Sequence, residues 1–371
     1  MTEKPSAGTQ ADLPPLAFDD LGCTERERAL FSTAAAELEA AGEPGPFALG
    51  RVVSLDRSLP LVMSEKDVFR AEHDVRMAKE NQLLPAIGDW VVAALPQGHD
   101  QGIIEQVLPR ARTFARRDPH NPDGMQVLAA NIDEALVIHP LSASNIDAHR
   151  LERELVIAWE SGAVPSLILT KADATTPEHL EQMLEVAGIV APGAQVVVES
   201  AVTGEGVEQV RGLVPPGTTA VVVGRSGAGK STLINRLLGA EVLTTGAVRA
   251  TDGAGRHTTV SRQMIAIPGG GVIIDAPGMR NVALADAWGG LEAAFPEIVA
   301  LEGTCRFRDC KHRSEPGCEV QAAVARGEID ARRLASYQEL RDEMVELQDR
   351  LRRSGRSERR QAGGRGKRKR R

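Results

Sequence analysis

At 371 residues the chain is longer than one hydrophobic core usually serves, so two or three domains are expected. An apolar fraction of 42% is ordinary for a globular protein, and no uncharged apolar run approaches the ~18 residues that a membrane span needs. The net charge of -7 hides an asymmetry: residues 350–371 carry twelve Lys or Arg against Glu358 alone, +11, which leaves -7 - 11 = -18 on the other 349.

An acidic body with a basic tail points to a polyanionic partner met through the tail, although such a run can also serve only for solubility. With aromatics at 3%, contacts to nucleic acid should rely on charge more than on stacking. Residues 1–15 have neither a basic start nor an apolar run, so no secretory signal is expected and the chain is read as cytoplasmic. Three of the four cysteines fall within residues 305–318, which in a reduced compartment favours metal over disulfide.

In chain order, a helical pattern over 26–41 ends at Gly42 and Pro44, closing a variable extension, 1–44. Short β-rich runs follow at 50–55, 59–63, 89–95 and 102–108, separated by turn residues, and predict a small closed barrel over 45–112. After a basic, proline-containing stretch, 110–122, strands at 132–138, 165–169, 195–198, 219–223, 260–267 and 271–275 alternate with helices at 147–161, 177–187, 207–213 and 230–238. This rhythm predicts an α/β domain, 113–285, with a mainly parallel sheet covered on both faces. A further domain, 286–352, ends in a helical stripe of Tyr337, Leu340, Met344, Leu347 and Leu351, which reads as core packing. Within the basic tail, 353–371, residues 359–371 are expected to lack regular structure and to touch RNA loosely.

The strongest chemical signal is Gly224-Arg225-Ser226-Gly227-Ala228-Gly229-Lys230-Ser231-Thr232, an apolar strand before it and a helix after. Such a loop wraps a triphosphate with backbone amides, the glycines allowing close approach. Lys230 would neutralise the β- and γ-phosphates, and Ser231 would ligate Mg²⁺. Asp275-Ala276-Pro277-Gly278 ends a strand fifty residues on, suited to a Mg²⁺ contact through Asp275 and a γ-phosphate contact through the Gly278 amide. Between them lies a polar switch segment with Arg256-His257-Thr258-Thr259; Thr258 is the favoured Mg²⁺ ligand, with Thr259 the alternative.

Thr170-Lys171-Ala172-Asp173 ends an earlier strand, and Asp173 could accept both the N1–H and the exocyclic amine of guanine, donors that adenine does not pair in this way. The stem of Lys171 can cover the base, and after the next strand Ser200-Ala201 can offer an amide to guanine O6. Base recognition thus precedes the phosphate loop, the reverse of the usual order. A site built from strand ends survives such a permutation. Cys305-x₄-Cys310-x-His312-x₅-Cys318 supplies three thiolates and an imidazole, a closed structural Zn²⁺ set with no open position.

Together with Gly88-Asp89-Trp90-Val91, Leu128-Ala129-Ala130-Asn131-Ile132-Asp133 and Phe295-Pro296-Glu297, these residues resemble the small-subunit-dependent ribosomal GTPases of bacteria, the RsgA or YjeQ family, over residues 46–350. The resemblance implies an OB-fold barrel, a circularly permuted P-loop GTPase domain and a zinc-binding helical domain. It implies GTP hydrolysis in late maturation of the small ribosomal subunit, stimulated by that subunit and its rRNA and linked to release, by a monomer without membrane contact. Two departures bear on mechanism. Thr170 stands where Asn is usual, and Met279 where many GTPases place a water-orienting Gln. The resemblance assigns that task to His257, for which a purely structural role is the alternative. An RNA scaffold with a structural nucleotide, and an ATPase, are the competing functions.

Overall fold

The computed structural model describes residues 15–55, 59–73, 84–95, 101–118, 121–141, 148–243, 262–275 and 284–368. Helix α1 (Glu25–Ala40) starts on a capping box: Thr24 Oγ1 accepts from the Arg26 amide at 3.2 Å, and Glu27 accepts from the Thr24 amide at 3.1 Å.

Five strands follow: β1 (Phe47–Leu55), β2 (Leu61–Ser64), β3 (Val68–His73), β4 (Trp90–Ala94) and β5 (Gln101–Val107). They pair in the order β1-β2-β3-β5-β4 and close through a β1–β4 ladder, every pair antiparallel except β3 with β5. Val52, Val62, Phe69, Ala71, Val91, Ala93, Ile104 and Val107 fill the interior of this OB-type barrel. The sequence reading missed β3, whose Phe69 and Ala71 alternate with charged neighbours over only six residues.

The basic stretch after the barrel forms an antiparallel hairpin of β6 (Thr113–Asp118) and β7 (Asn121–Ala130), a separate two-stranded sheet. Arg116, Arg117 and Pro122 had obscured the strand pattern.

The α/β domain arranges β8 (Glu134–Pro140), β9 (Val164–Thr170), β10 (Gln195–Val198), β11 (Thr219–Val223), β12 (Arg262–Ala266) and β13 (Val272–Asp275) in the order β10-β9-β8-β11-β13-β12. All neighbours are parallel except β12 with β13. Alternation along each strand sorts side chains between two cores. Leu136, Ile138, Ala220 and Val222 face α4 (Val207–Gly212) and α5 (Lys230–Leu238). Ala135, Val137, Val221 and Val223 face the opposite core, which holds α2 (Ala148–Glu160) and α3 (Pro177–Val190). Strand order reverses between β8 and β11, so the carboxyl ends there open a crevice, the usual place for a ligand in such sheets.

Barrel and α/β sheet share hydrogen bonds, because the end of β1 pairs with β12 (Ser54 with Gln263, Leu55 with Arg262). Arg51 locks the junction. Its buried guanidinium donates to the carbonyls of Gly88 (3.1 Å), Asn131 (3.0 Å) and Leu21, and to Thr219 Oγ1 (2.9 Å), while lying over the Trp90 ring. Burial pulls it down to about 10, so it stays protonated at neutral pH. Asp89 pairs bidentately with Arg110, at 2.7 and 2.6 Å. Gly88, at φ 86, brings its backbone so near Ala130 that a Cβ would sit 2.2 Å from that carbonyl oxygen. The Gly-Asp-Trp and Asn-Ile-Asp segments are therefore the mortise between the two folds.

The C-terminal part packs on the α2 and α3 side through α6 (Trp288–Ala294), α7 (Pro296–Glu302), α8 (Glu319–Ala325) and the 38-residue α9 (Ala331–Arg368). Phe295 and Glu297 are held by Arg333, which stacks 4.0 Å over the ring and bonds Glu297 at 3.0 Å. Residues 359–368, expected to be irregular, instead continue α9. Lys, Arg and Gln are good helix formers, and no proline follows Pro316 to stop the helix. Among the described residues no helix is long and apolar enough to cross a membrane.

Candidate nucleotide site and metal centre

The phosphate-loop segment leaves β11 at Gly224 and enters α5 at Lys230. Gly224, Gly227 and Gly229 take φ of 145, 77 and 101, conformations that L side chains rarely adopt. At Gly224 the constraint is also steric, since a Cβ would lie 2.5 Å from the Ile138 carbonyl oxygen. Ala228 is fully buried and anchors the loop in the apolar core, while Arg225, Ser226 and Gly227 are exposed. Lys230 Nζ donates to the carbonyls of Gly224 (2.7 Å) and Arg225 (2.8 Å), so its ammonium curls over the loop at the head of α5. Ser231 and Thr232 lie in the first turn of that helix.

Thr170 and Lys171, ending β9, reach this loop directly. Buried Thr170 Oγ1 donates to the Ala228 carbonyl at 2.6 Å, and Lys171 Nζ to the Gly227 carbonyl at 2.8 Å. Thr170 therefore braces the loop with its hydroxyl where an amide is usual. Lys171 takes a left-handed φ of 62, which turns the chain into a short 3-10 turn carrying Asp173 at the surface. Buried Ser200 donates from Oγ to Asp173 Oδ1 at 2.5 Å and accepts from the Thr203 amide at 3.2 Å. Ala201 follows at the same strand end. Segments written in permuted order thus converge: the Asp173 side and the Lys230 side share one strip of backbone.

Asp275 closes β13 beside β11. His257, Thr258, Thr259 and Arg256, with Gly278 and Met279, lie outside the described residues.

In the C-terminal part, Cys305, Cys310, His312 and Cys318 bring their ligand atoms within 4.8 Å of one another. His312 Nδ1 lies 3.6 Å from Cys305 Sγ and 3.4 Å from Cys318 Sγ, and those sulfurs are 3.9 Å apart. Tetrahedral Zn²⁺ with ordinary bond lengths would require edges of roughly 3.6 Å for N···S and ~3.8 Å for S···S, so this set could hold zinc as it stands. His312 is buried in a left-handed conformation, φ 58, which turns its ring inward.

A Streptomyces coelicolor protein described as "Small ribosomal subunit biogenesis GTPase RsgA" is 44% identical over 292 residues, 78% of this chain and 79% of that protein. The chain belongs to the RsgA GTPase family. The RsgA GTPase domain itself is matched by residues 107–285. A like-named Streptomyces avermitilis protein is 45% identical, with 78% of each chain covered. The structure of YjeQ from Thermotoga maritima superposes with a TM-score of 0.63 at 24% identity, covering 81% of this chain and 99% of that one. YloQ, described as a circularly permuted GTPase, gives 0.57 at 20% identity, covering 82% and 96%. Both likenesses bear out the permuted fold.

Two acids of this RsgA-family chain stand beside the candidate sites, and the motifs did not reveal them. Glu199, between β10 and Ser200, is buried with its Oε2 lacking a hydrogen-bond partner. Burial, and then repulsion from Asp173, push it up to about 7. Glu302 faces the metal cluster, with Oε1 3.3 Å from His312 Nε2; it also accepts from the Tyr337 hydroxyl and lies 3.7 Å from Arg341. Neither position carries a spacing signal, because Glu199 meets Asp173, and Glu302 meets His312, Tyr337 and Arg341, only through the fold.

Proposed function

We propose that the chain hydrolyses GTP during late maturation of the small ribosomal subunit, that the subunit and its rRNA stimulate the reaction, and that hydrolysis is linked to release. The observation that carries this reading is the pair of hydrogen bonds from Thr170 and Lys171 to the carbonyls of Ala228 and Gly227, which couples guanine recognition to the phosphate loop. The names of relatives more than 40% identical over most of their length support the ribosomal part.

In this reading Asp173, oriented by Ser200, accepts the two guanine donors, Lys171 covers the base and the Ala201 amide meets O6. The amides of Gly224 to Thr232 cradle the phosphates, and Lys230 moves from the loop carbonyls to the β- and γ-oxygens. Gly278 approaches the γ-phosphate. Mg²⁺, held by Ser231, Asp275 and Thr258 or Thr259, would neutralise charge on the transferring phosphoryl group. His257 orients the attacking water in place of the Gln that is usual where Met279 stands, with rRNA as the stimulating partner. Because part of the catalytic set depends on the partner, stimulation of roughly 10³–10⁵ is within the range known for GTPases. Cys305, Cys310, His312 and Cys318 hold one structural Zn²⁺, which stabilises the 286–352 module beside the 113–285 GTPase domain and the 45–112 barrel.

The test is GTP turnover by the full chain with and without purified small subunits. Subunits should accelerate wild type strongly, Lys230→Ala should remain at background in both conditions, and His257→Ala should lose the stimulated part. Absence of stimulation in wild type would remove the ribosomal reading. A Lys230→Ala protein that still responds would remove the site.

A further inference from the structure

The chain has eleven aromatic residues (seven Phe, three Trp, one Tyr), and ten of them are buried or half-buried. Phe307 alone is exposed, at 42%. It sits in the middle of the metal-ligand loop, between Arg306 and Arg308, both exposed, with Lys311 exposed four residues on. An apolar ring at such a position loses hydration free energy for no internal return. The other six phenylalanines all lie against the cores.

The loop is held rigidly for its length. Cys305 and Cys310 bracket Phe307 in the cluster, the Cys310 amide donates to the Phe307 carbonyl at 3.3 Å, and the Arg306 amide to the Gly317 carbonyl at 3.0 Å. Gly317 is needed there: at φ 76, a Cβ would press to 3.0 Å from Arg306 Cβ. The Arg306 guanidinium lies 5.5 Å from the Phe307 ring centroid, a cation–π contact.

Charge near the ring is tilted positive. Glu315 directs its carboxylate at the loop's own amides (Lys311 at 2.9 Å, Arg313 at 2.8 Å, Ser314 at 3.1 Å), which pull it down to about 2. Arg313 is engaged by Asp342 of α9. Arg306, Arg308 and Lys311 remain on the exposed rim with a single exposed acid, Asp309.

We propose that Phe307 is a stacking platform for one unpaired base of RNA, with Arg306, Arg308 and Lys311 meeting the adjacent phosphates. A flat apolar ring flanked by guanidinium groups on a rigid loop matches a base and its backbone, since every base has a π-face and carries a phosphate on either side. Charge complementarity selects RNA over an apolar protein surface, which would not call for three cations around one ring. The inference deepens the ribosomal reading above, on which the identity of the RNA rests.

The test uses full-length, zinc-loaded protein: wild type, Phe307→Ala, Phe307→Trp and Arg308→Ala. Binding is measured to purified small subunits and to a labelled oligoadenylate of about 12 nucleotides, as a function of salt up to ~0.3 M, where contacts made by charge alone fade. Phe307→Ala should weaken both by roughly 5- to 150-fold with an unchanged salt slope, and Phe307→Trp should bind as wild type. Arg308→Ala should reduce the slope by about 0.7. Wild-type affinity in Phe307→Ala on both probes overturns the proposal. So does a loss confined to the subunit, which would make the partner a ribosomal protein. If wild type itself ignores the subunit, the ribosomal reading fails, and the oligonucleotide still decides the role of Phe307.

Discussion

Replacing Glu199 by Gln converts a buried carboxyl, whose Oε2 lacks a partner, into a group that never ionises. In the fold this carboxyl titrates at about 7 against an ordinary 4.5, first because burial strips water from the anion and second because Asp173 repels it. Its pKa is raised on folding, so the unfolded chain releases this proton first as pH rises. The folded state then loses stability progressively above pH 4.5, and the loss is complete once pH exceeds the folded value of about 7. At ~1.4 kcal/mol per pKa unit the full penalty is about 3 kcal/mol, trimmed toward 2 by residual solvent screening. Urea unfolding of nucleotide-free wild type and Glu199→Gln, followed by circular dichroism, reads it. The variant should gain 2–3 kcal/mol on wild type at pH 8 relative to their difference at pH 4.5. Any fixed cost of burying the amide cancels in that comparison. A stability difference that stays constant across the range would refute the placement of Glu199 as a buried neighbour of Asp173.

Glu302→Gln should weaken zinc binding about 10- to 100-fold in chelator competition, because the carboxylate that accepts from His312 Nε2 also fixes Nδ1 toward the sulfurs. Arg51→Met should cost ~3–5 kcal/mol in thermal or urea unfolding, since it strands the carbonyls of Leu21 and Asn131 and leaves that of Gly88 with Asn131 Nδ2 alone. A loss below about 1 kcal/mol would mean that the junction holds by packing alone. Asp173→Asn should weaken GDP binding by at least tenfold in a competition assay, because an amide cannot accept both guanine donors as the carboxylate does, while leaving unfolding stability nearly unchanged at this exposed position.

Much of the site was legible because its chemistry is local. The phosphate loop needs glycines, a lysine and a hydroxyl at fixed offsets, and the backbone duly adopts positive φ at Gly224, Gly227 and Gly229. The four candidate metal ligands lie within fourteen residues of one another, so spacing alone foretold their convergence. Helices with clear caps and apolar faces fell within a few residues of their predicted limits, and strands 195–198 and 219–223 matched at both ends. Strand β3 and the β6–β7 hairpin were not legible. Their stability comes from partners on other strands, while their own composition is charged or interrupted by proline.

Sequence by itself determined the class of the chain: the nucleotide chemistry, the permuted order and the thiolate–imidazole cluster are all written in short stretches whose meaning does not depend on distant residues. Only the tertiary structure decided that β1 carries the barrel onto β12, that Arg51 clasps four separate segments, that Glu199 is buried beside Asp173, and that Phe307 is the one aromatic left in water. Burial and long-range pairing are properties of what surrounds a residue, and a linear chain does not state its surroundings until it has folded.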